Sequence, residues 1–345
     1  MAMSGQRITL KQIADDCGFS VNTVSRALRD DPHLSEETVQ TIKESADRLG
    51  YIRNALASSL RSGRSQIVAI LVEEIRNPHY SYLVTKMSRA LGEEGYVSVV
   101  LVTGNKIELE RKMVNIALGH AVDGILFFPQ GADEEIVQLI RANRVPFVLI
   151  DRTVAGVSDA DIVRLDDEAG GYLAAKRLID TGHRKFLYLA GPLTNSSQTE
   201  RERGILRALD DAGIPREDCR IVPSDDFLLA IEEKTVMSML TPVDYTAILS
   251  FNDEMGYYAM NALFREGIGV PNDVSIVGFD HVRHVVRYLP ALTSVSNIPG
   301  KDIATAAVRL LLEKLNNPEL PPREIMLPVE MNEGGTVGPP AVKRS

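Results

Sequence analysis

From residue 66 onward, short apolar runs rich in β-branched residues alternate with amphipathic stretches, and this alternation constrains the fold more than any other feature. The runs are IVAILV, YVSVVLV, DGILFFP, VPFVLID, FLYLAGP, AILSFND and VSIVGFD, with helix-like segments at 80–94, 107–120, 168–181, 200–213 and 253–267. Apolar strands separated by helical crossovers are typical of parallel sheets buried on both faces. Because about 280 residues carry this many units, the pattern predicts two doubly wound α/β lobes rather than one large sheet.

Several of the apolar runs end in polar residues. Asp151 follows the fourth run, Asn252 and Asp253 follow the sixth, and Asp280 follows the seventh. In open parallel sheets, ligands bind in the crevice at the carboxyl ends of the strands, so we expect a binding crevice at these residues. For Asn252 and Asp280, capping of the helix that follows each strand is the alternative role.

The end of the chain predicts two further elements and a tail. IATAAVRLLLEKLNN followed by EIMLPVEM is expected to form a helix and a strand that complete the second domain. The Gly/Pro-rich residues 336–345 are predicted to be disordered. They contain no leucine heptads.

Residues 8 to 50 contain no strand-like alternation and are predicted to form three short helices. Helix caps and stops occur at the expected spacing. They are Thr9 with Gln12 as a capping box, Gly18, Ser20, Asp30-Asp31-Pro32, Ser35 and Gly50.

The second of these helices begins with the sequence SVNTVSR at residues 20–26. Hydroxyl and amide side chains at an exposed helix start, with an Arg one turn later, are the groups that read base edges and phosphates in a major groove. The segment therefore favours a helix-turn-helix DNA reader over the alternative, a generic three-helix domain with a polar surface.

The net charge of the whole chain argues against nucleic acid, because 38 Lys and Arg face 47 Asp and Glu, giving −9. Residues 1–64, however, hold nine basic and eight acidic side chains, and residues 49–64 carry Arg53, Arg61 and Arg64 with no acid. A local basic stretch on an acidic protein is consistent with an anion-binding module. The alternative is a solvated linker.

Motifs of catalysis and of metal binding are absent from the sequence. It has no Gly-rich phosphate loop ending in Lys-Ser/Thr, no G-x-G-x-x-G after the first strand, no G-x-S-x-G elbow and no H-E-x-x-H. His281 and His284 lack a third ligand nearby in sequence, and Asp166 with Asp167 is interpreted as a helix start. We therefore predict neither an enzyme nor a metal or cofactor site.

Two sequence features bear on localisation. Cys17 and Cys219 show no metal or redox spacing and are expected to be reduced thiols. The first residues lack the apolar run of a signal peptide, and no stretch of ~18 apolar residues occurs. A cytoplasmic protein without a membrane segment is expected.

The chain contains three signatures in order: TLKQIADDCGFSVNTVSRALRD, YIRNALASSLRSGRS and an α/β region with LAGP, SFND and VGFD. Together they resemble the lactose/galactose repressor (LacI/GalR) family of bacterial transcription regulators. The resemblance covers about 335 of the 345 residues. It implies a helix-turn-helix DNA-binding domain over residues 1–52 and a hinge helix with linker over 53–65. Residues 66–335 would form a two-lobed periplasmic-binding-protein-like domain for effector binding and dimerisation.

The same resemblance implies which residues contact DNA. Val21, Asn22 and Arg26 fall at the base-reading positions, where Arg can pair with guanine and Asn with adenine. The implied contacts to the DNA backbone are Thr9, Ser20, Thr23, Ser25, Arg29, Thr38, Tyr51 and Asn54. Ala57, Leu60 and Arg61 match the hinge, in which Leu60 would wedge into the minor groove once two hinge helices pair on DNA.

The resemblance also implies an effector crevice between the lobes. Its expected residues are His79, Tyr80, Asp151, Arg201, Phe227, Asn252 and Asp280. Carboxylate, amide, guanidinium and aromatic groups together suit a hydroxyl-rich ligand such as a sugar or sugar derivative. Arg201 equally suits a carboxylate or phosphate, and the first loop, VEEIRNPHYSY, departs from both the sugar and the purine patterns of the family.

The function implied is a ligand-responsive repressor of a carbohydrate uptake or catabolic operon, acting as a homodimer on a near-palindromic, double-stranded operator. An activator, or a regulator that depends on a corepressor such as a phosphocarrier protein, is the alternative within the family. A sugar-binding transport receptor is disfavoured by the absent export signal and the added DNA reader. A sugar kinase is disfavoured by the absent phosphate loop.

Overall fold

A computed structural model describes residues 8–52, 63–104, 106–130, 133–224, 233–282 and 290–341 of the chain. The chain divides into two compact units, Met1–Ser65 and Gln66–Ser345.

The first unit contains three helices around a small apolar core. They are α1 (Leu10–Cys17), α2 (Val21–Ala27) and α3 (Glu36–Leu49). Each helix contributes two buried apolar side chains to this core, and these six residues are Ile13, Ala14, Val24, Ala27, Ile42 and Ala46. The predicted three-helix arrangement is thereby confirmed.

The predicted caps set the limits of these helices. Gln12 N donates to Thr9 Oγ1 while Thr9 N donates to Gln12 Oε1, which completes the capping box. Ser20 and Ser35 cap α2 and α3, and their side chains accept from Thr23 N and Thr38 N. Gly18 has a φ of 75°, a left-handed conformation that glycine adopts without a steric cost.

The second unit contains two six-stranded sheets. The strands are β1 (Ile67–Val72), β2 (Val97–Val102), β3 (Gly124–Phe127), β4 (Phe147–Ile150), β5 (Asp161–Leu165), β6 (Phe186–Ala190), β7 (Cys219–Pro223), β8 (Ala247–Ser250), β9 (Ser275–Phe279), β10 (Thr293–Asn297), β11 (Glu324–Leu327) and β12 (Val329–Asn332). One sheet has the order β11-β5-β4-β3-β1-β2 and the other β12-β10-β9-β8-β6-β7. The pairs are parallel except β10 with β12, which is antiparallel.

Helices pack on these sheets and connect their strands. They are α4 (Pro78–Glu93), α5 (Ile107–Gly119), α6 (Glu134–Ala142), α7 (Asp167–Asp180), α8 (Ser196–Asp211), α9 (Glu233–Leu240), α10 (Asp253–Arg265) and α11 (Ile303–Asn316). The predicted pair of doubly wound α/β lobes is therefore confirmed. We call the lobe containing β1 the first lobe and the lobe containing β6 the second lobe.

The chain crosses between the lobes three times. It passes from β5 in the first lobe to α7 in the second lobe, and from β10 back to α11, which packs on β3, β4 and β5 of the first lobe. The third crossing runs from β11 in the first sheet to β12 in the second. EIMLPVEM is thus two strands in different sheets, whereas the sequence predicted one. The reason is Pro328 between them, since a residue without an N–H group interrupts a strand ladder.

The C-terminal segment differs from its prediction as well. Thr336 is fully buried; its Oγ1 donates to Ile276 O at 2.7 Å, and its own carbonyl accepts from Ile276 N at 2.8 Å. The carbonyl of Gly338 accepts a hydrogen bond from the ring of His183 at 2.9 Å. The prediction of a disordered tail is therefore wrong for residues 336–341, because backbone pairing with the second sheet outweighs the Gly/Pro composition.

Candidate functional sites

In the first unit, α2 presents an exposed polar face. Val21 is 45% exposed and Asn22 is exposed, whereas Val24 and Ala27 on the opposite side are buried. Positions 22 and 26 lie one turn apart and therefore on the same side of the helix. Asn22 and Arg26 therefore lie on the same side of α2, and Val21 next to Asn22 is exposed as well.

Arg26 has a partner within this unit. Its Nε donates to Asp31 Oδ2 at 2.8 Å, and Asp31 Oδ1 accepts from His33 N at 3.0 Å. The Arg26 guanidinium and the His33 amide lower the pKa of Asp31 to about 2. The Nε edge of Arg26 is therefore held by a carboxylate that remains ionised at neutral pH.

The DNA-backbone candidates have structural contacts of their own. Thr9 and Ser20 are helix caps. Thr23 and Thr38 form hydrogen bonds with the capping hydroxyls of Ser20 and Ser35. Arg29 Nε donates to Ser25 O, and Tyr51 packs against the core. The helix starts that they cap carry backbone N–H groups suited to phosphate. Asn54, Ala57, Leu60 and Arg61 lie outside the described residues.

In the second unit, most of the effector candidates line a single cavity. Six of the seven predicted effector residues line it: His79, Tyr80, Asp151, Arg201, Asn252 and Asp280. The seventh, Phe227, lies outside the described residues. Residues from both lobes face this cavity, whose free volume of about 30 Å³ holds one or two waters. This cavity therefore has room for water but not for a sugar-sized ligand.

Two carboxylates reach the cavity from unusual backbone conformations. Asp151 follows β4 with a φ of 65°, and Asp280 follows β9 with a φ of 100°. Non-glycine residues adopt positive φ at a cost, so the surrounding structure must hold them. It does so through backbone bonds, from Asp151 N to Val163 O and from Asp280 N to Val295 O.

His79 lies between these carboxylates. Asn77 caps α4 by accepting from His79 N, and the His79 ring Nε2 lies 3.6 Å from Asp151 Oδ2. Burial lowers the pKa of His79, but Asp280 and Asp151 outweigh it and raise the pKa to about 9. The ring is therefore an imidazolium at neutral pH.

Arg201 is held on several sides. Its Cζ lies 3.5 Å from the centroid of the Phe279 ring and 4.7 Å from that of Phe251. Its Nε donates to Asp167 Oδ1 at 2.7 Å and its Nη1 donates to Phe251 O at 2.5 Å, while Nη2 lies 4.0 Å from Asp280. Much of its hydrogen-bonding capacity thus serves the protein.

Glycines position the helix that carries Arg201. A Cβ on Gly171 of α7 would lie 2.0 Å from Arg201 O, and a Cβ on Gly204 of α8 would lie 2.0 Å from Glu168 O. The two helices therefore meet backbone to backbone, which brings Asp167 at the start of α7 next to Arg201.

Comparison with known proteins shows where such a two-unit chain belongs. The model of bacterial regulatory proteins of the lacI family matches residues 9–54, and a periplasmic binding protein-like domain matches residues 175–337. Catabolite control protein A of Priestia megaterium is 30% identical over 325 residues, covering 93% of this chain and 96% of its own. The chain belongs to the lacI family of bacterial regulatory proteins.

Other lacI-family proteins match along nearly the full length. The HTH-type transcriptional repressor PurR of Vibrio atlanticus (strain LGP32) is 29% identical, covering 95% of this chain and 98% of its own. A solved complex of the transcriptional regulator CelR with cellobiose is 28% identical, with a TM-score of 0.69 over 96% of this chain and 100% of its own. This lacI-family chain is accordingly a transcription regulator with a helix-turn-helix unit and a periplasmic-binding-protein-like unit.

The cavity is also lined by residues that the sequence did not predict. They are Asn77, Arg152, Leu165, Asp167, Ser197 and Phe251. Asp166 caps α7 as expected, whereas Asp167 was interpreted only as a helix start and in fact pairs with Arg201. For Asn252 the capping alternative is confirmed, since its Oδ1 accepts from Met255 N. A signal was available for Arg152 and Phe251, which adjoin Asp151 and Asn252 at strand ends.

The described residues contain neither a metal-binding cluster nor a membrane-spanning helix. No group of three or more His, Cys, Asp or Glu in the described ranges is arranged to hold a metal ion, and His284 lies outside them. In the same ranges, no helix is both long and apolar enough to cross a membrane.

Proposed function

We propose that this regulator is a repressor that binds a near-palindromic operator as a homodimer and releases it when a sugar-like effector enters the crevice. It would act by binding alone, without catalysis or a cofactor, in the cytoplasm where its operator DNA lies. The observation that carries the proposal is the meeting of effector candidates from both lobes in one cavity, because a ligand that contacts both lobes changes their relative stability.

The chemistry of the crevice suits hydroxyl groups. Asp280 supplies carboxylate oxygens as acceptors, His79 supplies a charged donor, and the Phe251 ring supplies an apolar face. Charged groups paired with aromatic surface are the usual lining of a site for a polar ring-shaped ligand. The CelR relative, which binds cellobiose, supports the carbohydrate class.

Operator binding is assigned to the exposed face of α2 with Val21, Asn22 and Arg26, and to the hinge residues Ala57, Leu60 and Arg61. A homodimer fits a two-fold operator, since two α2 helices would enter successive major grooves. An apolar surface on the first lobe supports self-association, with Val97 of the edge strand 63% exposed and Tyr82 of α4 60% exposed.

Replacing Asp280 tests the proposal. Asp280→Asn should leave operator affinity unchanged and abolish release by the sugar that stabilises the wild-type protein most in a thermal-shift screen. Fluorescence anisotropy of a labelled operator, with and without that sugar, measures both. Release that is as efficient in the variant as in the wild type would exclude Asp280 from the effector site, and tighter operator binding with sugar would identify a corepressor-dependent regulator instead.

A further inference from the structure

Each arginine that lines the crevice is paired with a buried carboxylate. Arg201 pairs with Asp167 at 2.7 Å, and Arg152 Nη2 lies 2.9 Å from Glu73 Oε2. Glu73 directly follows β1 and is only 2% exposed. Tyr80 joins this second pair, because its hydroxyl donates to Glu73 Oε2 at 3.3 Å and accepts from Arg152 Nη2 at 2.6 Å.

Hydrogen bonding alone does not require Glu73 to be a carboxylate. Both of its bonds are made by Oε2, and Oε1 is buried with no hydrogen-bond partner among the described residues. A glutamine has the same shape and an oxygen that accepts the same two bonds. What only the carboxylate provides is a negative charge beside Arg152, and burying such a charge is costly unless it is paired.

The charges around the crevice show what Glu73 changes. His79, Arg152 and Arg201 are cationic, and they face the carboxylates of Asp151, Asp167 and Asp280. Glu73 lies behind Arg152 and adds a fourth negative charge to these three. An anion entering the crevice therefore finds Arg152 already paired with Glu73 and meets no excess of positive charge around the cavity.

We propose that Glu73 is a specificity-determining residue that makes the crevice reject anionic effectors by neutralising Arg152. The effector is accordingly an uncharged polyhydroxyl compound, and sugar phosphates and sugar acids are excluded. This inference rests on the proposed function, since it concerns the ligand of the same crevice.

The experiment compares uncharged sugars with their anionic forms on the full-length protein. Isothermal titration measures affinity for glucose and glucose 6-phosphate, fructose and fructose 6-phosphate, ribose and ribose 5-phosphate, and galactose and galactonate. For the wild type, the tightest ligand should be uncharged and its anionic form at least about tenfold weaker. In Glu73→Gln, the affinity ratio should shift toward the anion by about tenfold or more.

Glu74→Gln is the matched control. Glu74 is the adjacent carboxylate, but it pairs with the exposed Arg76 at 2.7 Å and does not line the cavity. Its substitution should leave the affinity ratio unchanged.

A double variant separates charge from structural damage. Glu73→Gln/Arg152→Gln removes both charges, so it should restore the wild-type preference against anions even if Glu73→Gln alone folds poorly. A ratio unchanged in Glu73→Gln, an equal shift in Glu74→Gln, or a double variant that prefers anions would overturn the role of Glu73. A wild-type protein that binds a sugar phosphate most tightly would overturn the uncharged class, whereas binding of no sugar at all would contradict the proposed function itself.

Discussion

At the scale of single residues, Arg26 is the candidate base reader whose interactions the structure defines best. It projects from the exposed face of α2 and bonds Asp31 through Nε. Its neighbour Arg29 instead bonds the backbone of Ser25, which suits a phosphate contact more than base reading. The two arginines therefore predict different effects on DNA binding.

Arg26→Ala should reduce the discrimination between operator and a shuffled duplex by about 1–3 kcal/mol, the usual worth of a bidentate base contact. Anisotropy titrations with both duplexes at one salt concentration provide the measurement. Arg29→Ala is the control and should weaken both affinities about equally. Unchanged discrimination in Arg26→Ala would remove Arg26 from the base-reading set.

Glu110 offers a residue-scale test by pH. Burial raises its pKa from 4.5 to about 7, although Oε2 accepts a bond from Gln130 N. A carboxyl whose pKa is raised on folding makes the folded state less stable as the pH rises from 4.5 through 7. The free energy of unfolding of Glu110→Gln, relative to that of the wild type, should therefore be higher at pH 9 than at pH 5, by up to about 3 kcal/mol.

Urea denaturation at the two pH values measures that gain. Glu108→Gln is an exposed substitution on the same helix and should have the same small effect at both. An equal effect of Glu110→Gln at pH 5 and pH 9 would show that Glu110 titrates normally in the folded protein.

At the scale of elements, the sequence predicted whatever is encoded locally. Helix caps such as Ser20 and apolar strands such as β9 depend on neighbouring residues, and both were found as expected. Elements defined by distant partners were not predictable. The end of the chain illustrates this, because Thr336 is ordered by bonds to Ile276, and nothing in the local composition encodes those bonds.

The candidate site follows the same division. Asp151 and Asp280 were identified because they end apolar strands, a local signal. The pairing of Asp167 with Arg201 depends on how closely α7 and α8 approach each other. Gly171 and Gly204 permit that approach because each faces backbone atoms of the other helix. The sequence alone does not show why a glycine lies inside a helix, since it can mark a close contact with a neighbouring helix or have no packing role.

Gly171→Ala should destabilise the protein by about 2 kcal/mol or more, because its Cβ would collide with the backbone of α8. Gly92→Ala is the matched control, since a Cβ at this exposed helical position meets no atom within 4 Å. It should stabilise by about 0.5–1 kcal/mol through helix propensity. Urea denaturation distinguishes the two, and equal effects would contradict the close helix contact.

At the scale of the whole molecule, the acidic charge and the DNA reader belong to different parts of the chain. Residues 66–345 account for the negative net charge, while residues 1–64 are close to neutral and hold the helix-turn-helix unit. A regulator built in this way needs coupling between its two units. The central claim is therefore that one free energy links the effector crevice to operator binding.

That claim is tested most directly by titrating the effector into the full-length protein with and without saturating operator. Linkage requires the operator to weaken effector binding by the same factor by which the effector weakens operator binding, about 5- to 150-fold for typical couplings. We predict equal factors from the two titrations. Effector affinity that is identical with and without operator would contradict the account.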